Sequence, residues 1–190
     1  FEDIRRTTPS AYNPQCPVAR RFSFAVLNDL LIMSDFGASA LEKWTGSGKT
    51  AALTIGGGPG FTTLKARYLS VVRDVLFLGH TTEDSTVHPD RIRWSDGGDP
   101  ESWTSTNYFD LSTKDGDIVM GLAPIQGLAV AFKRKSIWVG AYVGAPDYYT
   151  FEQVVPDKGT VAPFAIKSIN NYILFASYDG IYIFDGSPSP

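Results

Sequence analysis

The chain has 190 residues, 43% of them hydrophobic, 13% aromatic and 19% charged. It is therefore too apolar for a disordered segment and fits one globular domain near the upper end of the usual size range. Seventeen Lys and Arg against 20 Asp and Glu leave a net charge of −3, which argues against a dedicated DNA- or RNA-coating domain. One cysteine, Cys16, excludes a disulfide within the chain.

Residues 1–17, with Pro9, Asn13-Pro14 and Pro17, read as an extended N-terminal arm. The opening Phe1-Glu2-Asp3-Ile4-Arg5-Arg6 has neither an initiator Met nor the apolar core of a signal peptide, which suggests a processed chain or a fragment. No apolar run approaches the ~18 residues of a bilayer crossing. Asn28-Asp29 and Arg73-Asp74 interrupt the most apolar stretches, so no membrane partner is expected.

From residue 18 onward one pattern recurs four times: an apolar strand, a polar two-residue turn, a second apolar strand, then a third strand carrying an aromatic. The first copy runs 21–27, turns at Asn28-Asp29 and returns over 30–33. The second runs 65–72, turns at Arg73-Asp74 and returns over 75–78. The third runs 118–125, turns at Gln126-Gly127 and returns over 128–132. The fourth runs 161–169, turns at Asn170-Asn171 and returns over 172–175.

The turns are spaced by 45, 53 and 44 residues, a period that several-stranded β-propeller blades share. Third strands are expected at 41–44, 91–94, 136–140 and 180–184, and fourth strands at 108–111 and 148–155. Asn28, Asp29, Gly127, Asn170, Asn171, Asp179 and Gly180 are the structural turn residues, because their types tolerate the positive φ of tight hairpins. The central strands read as continuous apolar runs, as expected when neighbouring sheets cover both faces.

In the second copy, residues 79–90 read as a polar insertion lying outside the core. Residues 37–44, rich in Ala and Leu, leave a short helical turn open as an alternative. The expected fold is thus all-β and propeller-like, with about four blades at 18–60, 61–112, 116–156 and 158–186. Residues 187–190 form a tail or cut end. Four blades are either a small closed ring or an arc of a larger propeller, and the ragged termini favour the arc.

Several stretches invite a chemical reading. Gly46-Ser47-Gly48-Lys49-Thr50 resembles the end of a phosphate-binding loop, but Lys43 stands where a glycine is needed. The glycines at 56–58 also forbid the helix that would follow. The stretch from Trp94 to Trp103 resembles the aspartate box of sialidase-type propellers, except that Ser95 and Asp96 are adjacent. A turn whose Asp side chains bond nearby backbone N–H groups explains it more simply.

His80, His88, Glu83, Asp84 and Asp90 would need to converge to hold a metal. A solvated loop explains them better, and Cys16 has no companion His in a nucleophile motif. No catalytic, cofactor or metal residue is assigned, and no cofactor is expected. Lys133, Arg134 and Lys135 form the one basic cluster; with Arg91 and Arg93 they are the candidate interaction or channel contacts. An Asp-rich loop and exposed aromatics such as Trp103, Tyr148 and Tyr149 leave a carbohydrate-binding or glycan-hydrolysing propeller as the alternative.

The run Arg91-Ile92-Arg93-Trp94-Ser95-Asp96, then Gly98-Asp99-Pro100-Glu101-Ser102-Trp103 and Phe109-Asp110-Leu111, resembles a recurring stretch of tailed-phage structural proteins. So do Gly121-Leu122-Ala123-Pro124 with the strand that follows, and the stretch from Asn170 to Gly186. The resemblance covers about 61–186 and is to propeller-bearing tail tubular (nozzle) and packaged-DNA stabilisation proteins. It implies a non-enzymatic virion subunit, assembled in the host cytoplasm and present as a homo-oligomeric ring. Its partners would be other virion proteins, with non-specific proximity to packaged DNA.

Overall fold

The computed structural model describes residues 21–111 and 116–187. The arm expected over 1–17, Cys16 and the last three residues of the tail lie outside the described residues.

The chain is all-β, arranged as four consecutive antiparallel sheets. The first holds β1 (Ser23–Leu27), β2 (Leu30–Ser34), β3 (Glu42–Trp44) and β4 (Ala51–Ala52). The second holds β5 (Leu64–Val72), β6 (Val75–Glu83), β7 (Thr86–Trp94) and β8 (Tyr108–Asp110). The third holds β9 (Val119–Ile125), β10 (Leu128–Lys133), β11 (Ile137–Gly144) and β12 (Tyr148–Val155). The fourth holds β13 (Lys167–Ile169), β14 (Tyr172–Ala176) and β15 (Ile181–Phe184). Every sheet is a simple meander in which sequential strands pair.

Alternation along the strands explains why their apolar runs are continuous. In β6, Leu76 and Leu78 enter a core shared with the first sheet, while Val75 and Phe77 enter a core shared with the third. In β10, Ala129 and Ala131 face the second sheet, while Val130 and Phe132 face the fourth. A strand side chain points to one face or the other with period 2, so a sheet buried on both faces needs an apolar residue at every position. Three cores result, each lying between consecutive sheets. The first strands neighbour one another in order, β1 beside β5, β5 beside β9 and β9 beside β13.

The hairpin turns follow the residue types only in part. Asn28 and Asp29 both have positive φ, as do Gln126 and Gly127. At the other two first hairpins only the leading residue is left-handed, Arg73 at φ 56° and Asn170 at φ 52°. Asp179 and Gly180 do not adopt positive φ; that turn is closed by the Ser177 N–H donating to the Gly180 carbonyl at 2.8 Å, and Lys158 pairs with the Asp179 carboxylate.

Two further expectations require correction, and one open alternative closes. Residues 79–90 are not an external loop, because β6 and β7 extend through them and turn only at Asp84-Ser85. Gly79, His80 and Thr81 are buried, and the register shifts between Gly79 and Thr81. His80, left-handed at φ 55°, stands there opposite the three residues Pro89, Asp90 and Arg91, so β7 carries the two extra residues of a β-bulge. The helical turn left open for 37–44 is not formed; the chain bends into β3, within the strand expected at 41–44, after the left-handed Phe36 and Gly37. The first strand of the fourth repeat shortens to β13, because Pro163 begins a 3-10 turn at Pro163–Ala165.

Candidate functional site

A cleft of about 410 Å³ lies at one end of the junction between the second and third sheets. Its walls come from three places: the β5–β6 turn (Arg73, Asp74), the end of β7 with the residues after it (Trp94, Ser95, Asp96, Gly97) and the β11–β12 hairpin (Tyr142, Tyr148, Tyr149). Val75 and Asn107 complete the lining. The pleat aims alternate residues at the junction: Tyr149 and Phe151 of β12 meet Phe77 and Trp94 of the second sheet. Tyr149 is central to this aromatic group, edge-on to Phe77 at 4.9 Å, Trp94 at 5.6 Å and Tyr142 at 5.5 Å.

Burial pushes the Tyr149 phenol above its usual pKa, with Asp74 reinforcing and Arg73 opposing the effect. Tyr142 and Tyr148 are exposed at the mouth, and Tyr148 is left-handed at φ 59°. Trp94 is buried, and its indole N–H has no hydrogen-bond partner among the described residues. The arrangement offers ring faces and edges beside a rim of Arg, Asp and Asn, a surface suited to binding a small polar ligand with an apolar face.

Asp96 is occupied in building the cleft wall. Its carboxylate accepts from the hydroxyls of Ser102 at 2.7 Å and Thr104 at 3.0 Å, and from the Asn107 amide at 2.8 Å. Asp99 accepts the Glu101 N–H at 2.9 Å. The backbone bonding expected of this loop is thus present at Asp99, whereas Asp96 organises side chains. Trp103 is not a surface aromatic: it is fully buried in the core between the first and second sheets. Of the other aromatics named from sequence, Tyr149 is buried and Tyr148 is exposed.

The basic residues do not form a single surface. Arg91 and Arg93 are buried within the second sheet around Glu83. Arg91 binds the Asp110 carboxylate through two nitrogens at 2.7 and 2.9 Å and reaches Glu83 at 3.0 Å. Arg93 binds Glu83 at 2.8 and 3.2 Å and the Thr104 carbonyl at 3.2 Å, with its guanidinium 4.8 Å from the Phe61 ring centre. For Glu83, burial would raise the carboxyl, but the hydrogen bonds and charges of Arg93 and Arg91 outweigh it and hold it below the usual range.

Lys133 is fully buried as well, donating from Nζ to the Leu111 carbonyl at 2.8 Å. Arg134 and Lys135 alone of the basic cluster are exposed, and their backbone N–H groups donate to the Asp117 carboxylate at 3.0 Å each. Arg91, Arg93 and Lys133 are corrected from surface contacts to internal ties. A sheet that must bury every strand position has nowhere else to place them, and only paired cations survive there.

The phosphate-loop lookalike is the bend between β3 and β4 of the first sheet. Trp44 closes it by donating to the Gly48 carbonyl at 3.0 Å, and no helix follows. His80 and His88 do not converge. His80 sits in the junction near Val119, where burial and the charge of Arg67 depress its pKa to about 4. His88 lies 4.0 Å from the Glu83 carboxylate. Among the described residues no group of three potential ligands could hold a metal.

Sequence reasoning missed Tyr142 and Arg73 as cleft walls. Tyr142 pairs with Tyr149 across β11 and β12, so extending the third strand past Gly140 exposes the signal. Arg73 had none, because an Arg in a left-handed turn looks like any surface residue.

No family model matches the chain, and no curated protein does. Among solved structures, the extracellular domain of a hybrid two-component system from B. thetaiotaomicron is similar over 84% of this chain, at 12% identity and TM-score 0.52. The match spans 20% of that longer chain. The extracellular domain of a one-component system from the same organism is similar over 85% of this chain and 27% of its own, at 11% identity and TM-score 0.49. At such identity the likeness bears on the β-sheet fold alone.

Proposed function

We propose that this chain is a non-enzymatic structural component of a phage virion, in the tail, nozzle or neck. Its four sheets are successive blades of a β-propeller that carry loops for docking neighbouring subunits around the DNA channel. The observation that carries the reading is the resemblance over 61–186, and the fold gives its quoted residues structural work. Arg91, Arg93 and Asp110 tie β7 to β8, Trp94 and Trp103 fill two different cores, and Asp96 fastens the loop between them.

A radial blade arrangement is supported by the order of the first strands. Residues of β1, β5, β9 and β13 line one common groove of about 320 Å³, as innermost strands do around a propeller axis. The extracellular location of the similar solved structures stays with those proteins, since one fold hosts unrelated functions.

Mass spectrometry of purified particles from the phage or prophage that encodes the chain tests the reading. Stoichiometric recovery in the tail fraction is the expected result; absence from particles overturns it. The cleft favours one rival, a glycan-binding propeller, because Tyr142 and Tyr148 expose rings beside Arg73 and Asp74. A glycan array with sialylated and capsular sugars decides, and clear binding abolished by Tyr148→Ala favours the rival.

A further inference from the structure

Among the described residues, no other sheet covers the outer faces of the first and fourth sheets. On the first sheet, Val26 pairs with Leu31 and Phe24 with Met33, so these four share the face turned away from the second sheet. Phe24 is 57% exposed and Val26 63%. On the fourth sheet, Leu174 pairs with Ile183 and Ala176 with Ile181, on the face turned away from the third. Ile181 is 74% exposed and Ile183 68%.

These faces are not interchangeable. In every repeat the residue just before the first hairpin turn has the same assignment: Leu27, Val72 and Ile125 each pack toward the following sheet. So do Ile32, Phe77 and Val130 on the second strands. Ile169 and Leu174 hold those two places in the fourth repeat, where no following sheet exists among the described residues. Conversely Leu76, Ala129 and Ile173 pack toward the preceding sheet, and Leu31 holds that place in the first. The fourth sheet thus ends the stack on the side that receives a next sheet, and the first begins it on the side that rests on a previous one.

We propose that a second copy of this chain docks head-to-tail, its first sheet packing on the fourth sheet of its neighbour. This continues the packing of the three internal junctions and covers both apolar faces. It rests on the stacked-blade reading above and is independent of the virion role. The contact is heterologous, joining different patches on the two copies.

Sedimentation of the 190-residue chain over a dilution series is expected to show association that reverses on dilution. Val26→Asp and Ile183→Asp each place a charge on one face only, at exposed sites, so both keep the parental circular dichroism. Each variant alone is expected to run as a monomer. Mixed, V26D supplies an intact fourth sheet and I183D an intact first, so the mixture forms a one-to-one complex. A parental chain that stays monomeric at every concentration overturns the proposal, as does a mixture that does not associate. Self-association of either variant alone also overturns it, because it reports a like-with-like contact. Absence from phage particles would sink the virion role while leaving these masses unchanged.

Discussion

Asp96 and His80 show how a polar side chain is either used up or left exposed to titration by this fold. Three hydrogen bonds converge on the Asp96 carboxylate from Ser102, Thr104 and Asn107. Asp96→Ala leaves those donors without their acceptor, and a loss of about 2 kcal/mol is expected in urea unfolding, at the scale of charge-assisted bonds. Asp96→Asn should recover part of it.

His80 behaves differently. Its folded pKa is about 4, below that of an unfolded His, so the unfolded state binds the proton more readily. Stability is therefore full above the unfolded value and falls as pH drops from about 6.5 toward 4, by roughly 3 kcal/mol. Glu83 is also depressed, and its contribution is lost only at lower pH, as the solution passes through the carboxylate range. Replacing His80 with Asn, which tolerates the left-handed backbone there, should flatten the first limb and leave the second. Unfolding midpoints between pH 7 and 3 separate the two.

At the scale of elements, the fold depends on a few close approaches between loops and strand ends. Gly159 is the tightest: a Cβ there would lie 2.2 Å from the Lys133 carbonyl oxygen and 2.6 Å from the Arg134 carbonyl carbon. Backbone cannot yield as a side chain can, so Gly159→Ala is expected to cost about 3 kcal/mol, at the upper end of overpacking changes. It should also loosen the bond from the Thr160 N–H to the Lys133 carbonyl, which amide exchange at Thr160 reports.

The hairpins were legible because turn chemistry and apolar runs agree at Asn28-Asp29 and Gln126-Gly127. The β6–β7 extension was not. Its residues at 79–90 are polar, and polarity reads as solvent unless the partners Glu83, Arg91 and Arg93 are known to meet. The same blindness placed those arginines and Lys133 on the surface, since a sequence shows charge but not the carboxylate or carbonyl that neutralises it. The cleft was legible in pieces, with Tyr148, Tyr149 and the Asp-rich loop visible, but no local pattern tells that two sheets bring them together.

For the whole molecule, stability should be uneven along the stack. The second and third sheets are covered on both faces, while β13 is exposed at all three positions and the fourth sheet has three strands. In linear stacks the terminal units fray first. Amide exchange is expected to be slowest in β6 and β10 and at least ~100-fold faster in β13 and β15, a gap of about 3 kcal/mol in local opening. Uniform protection across all four sheets would contradict this. Association through the end faces would narrow the gap with concentration.

The period-2 division of each strand between two cores also limits how the gene can change length. Removing one residue from the middle of β10 would exchange the side chains of two cores at once, turning Val130 and Phe132 toward the space that Ala129 and Ala131 fill. Such edits are tolerable only where a hairpin tip absorbs them or where they come in pairs that keep phase, as the two extra residues of β7 opposite His80 do. A deletion scan would then trace the molecule as a comb, intolerant along the strands and permissive at the tips.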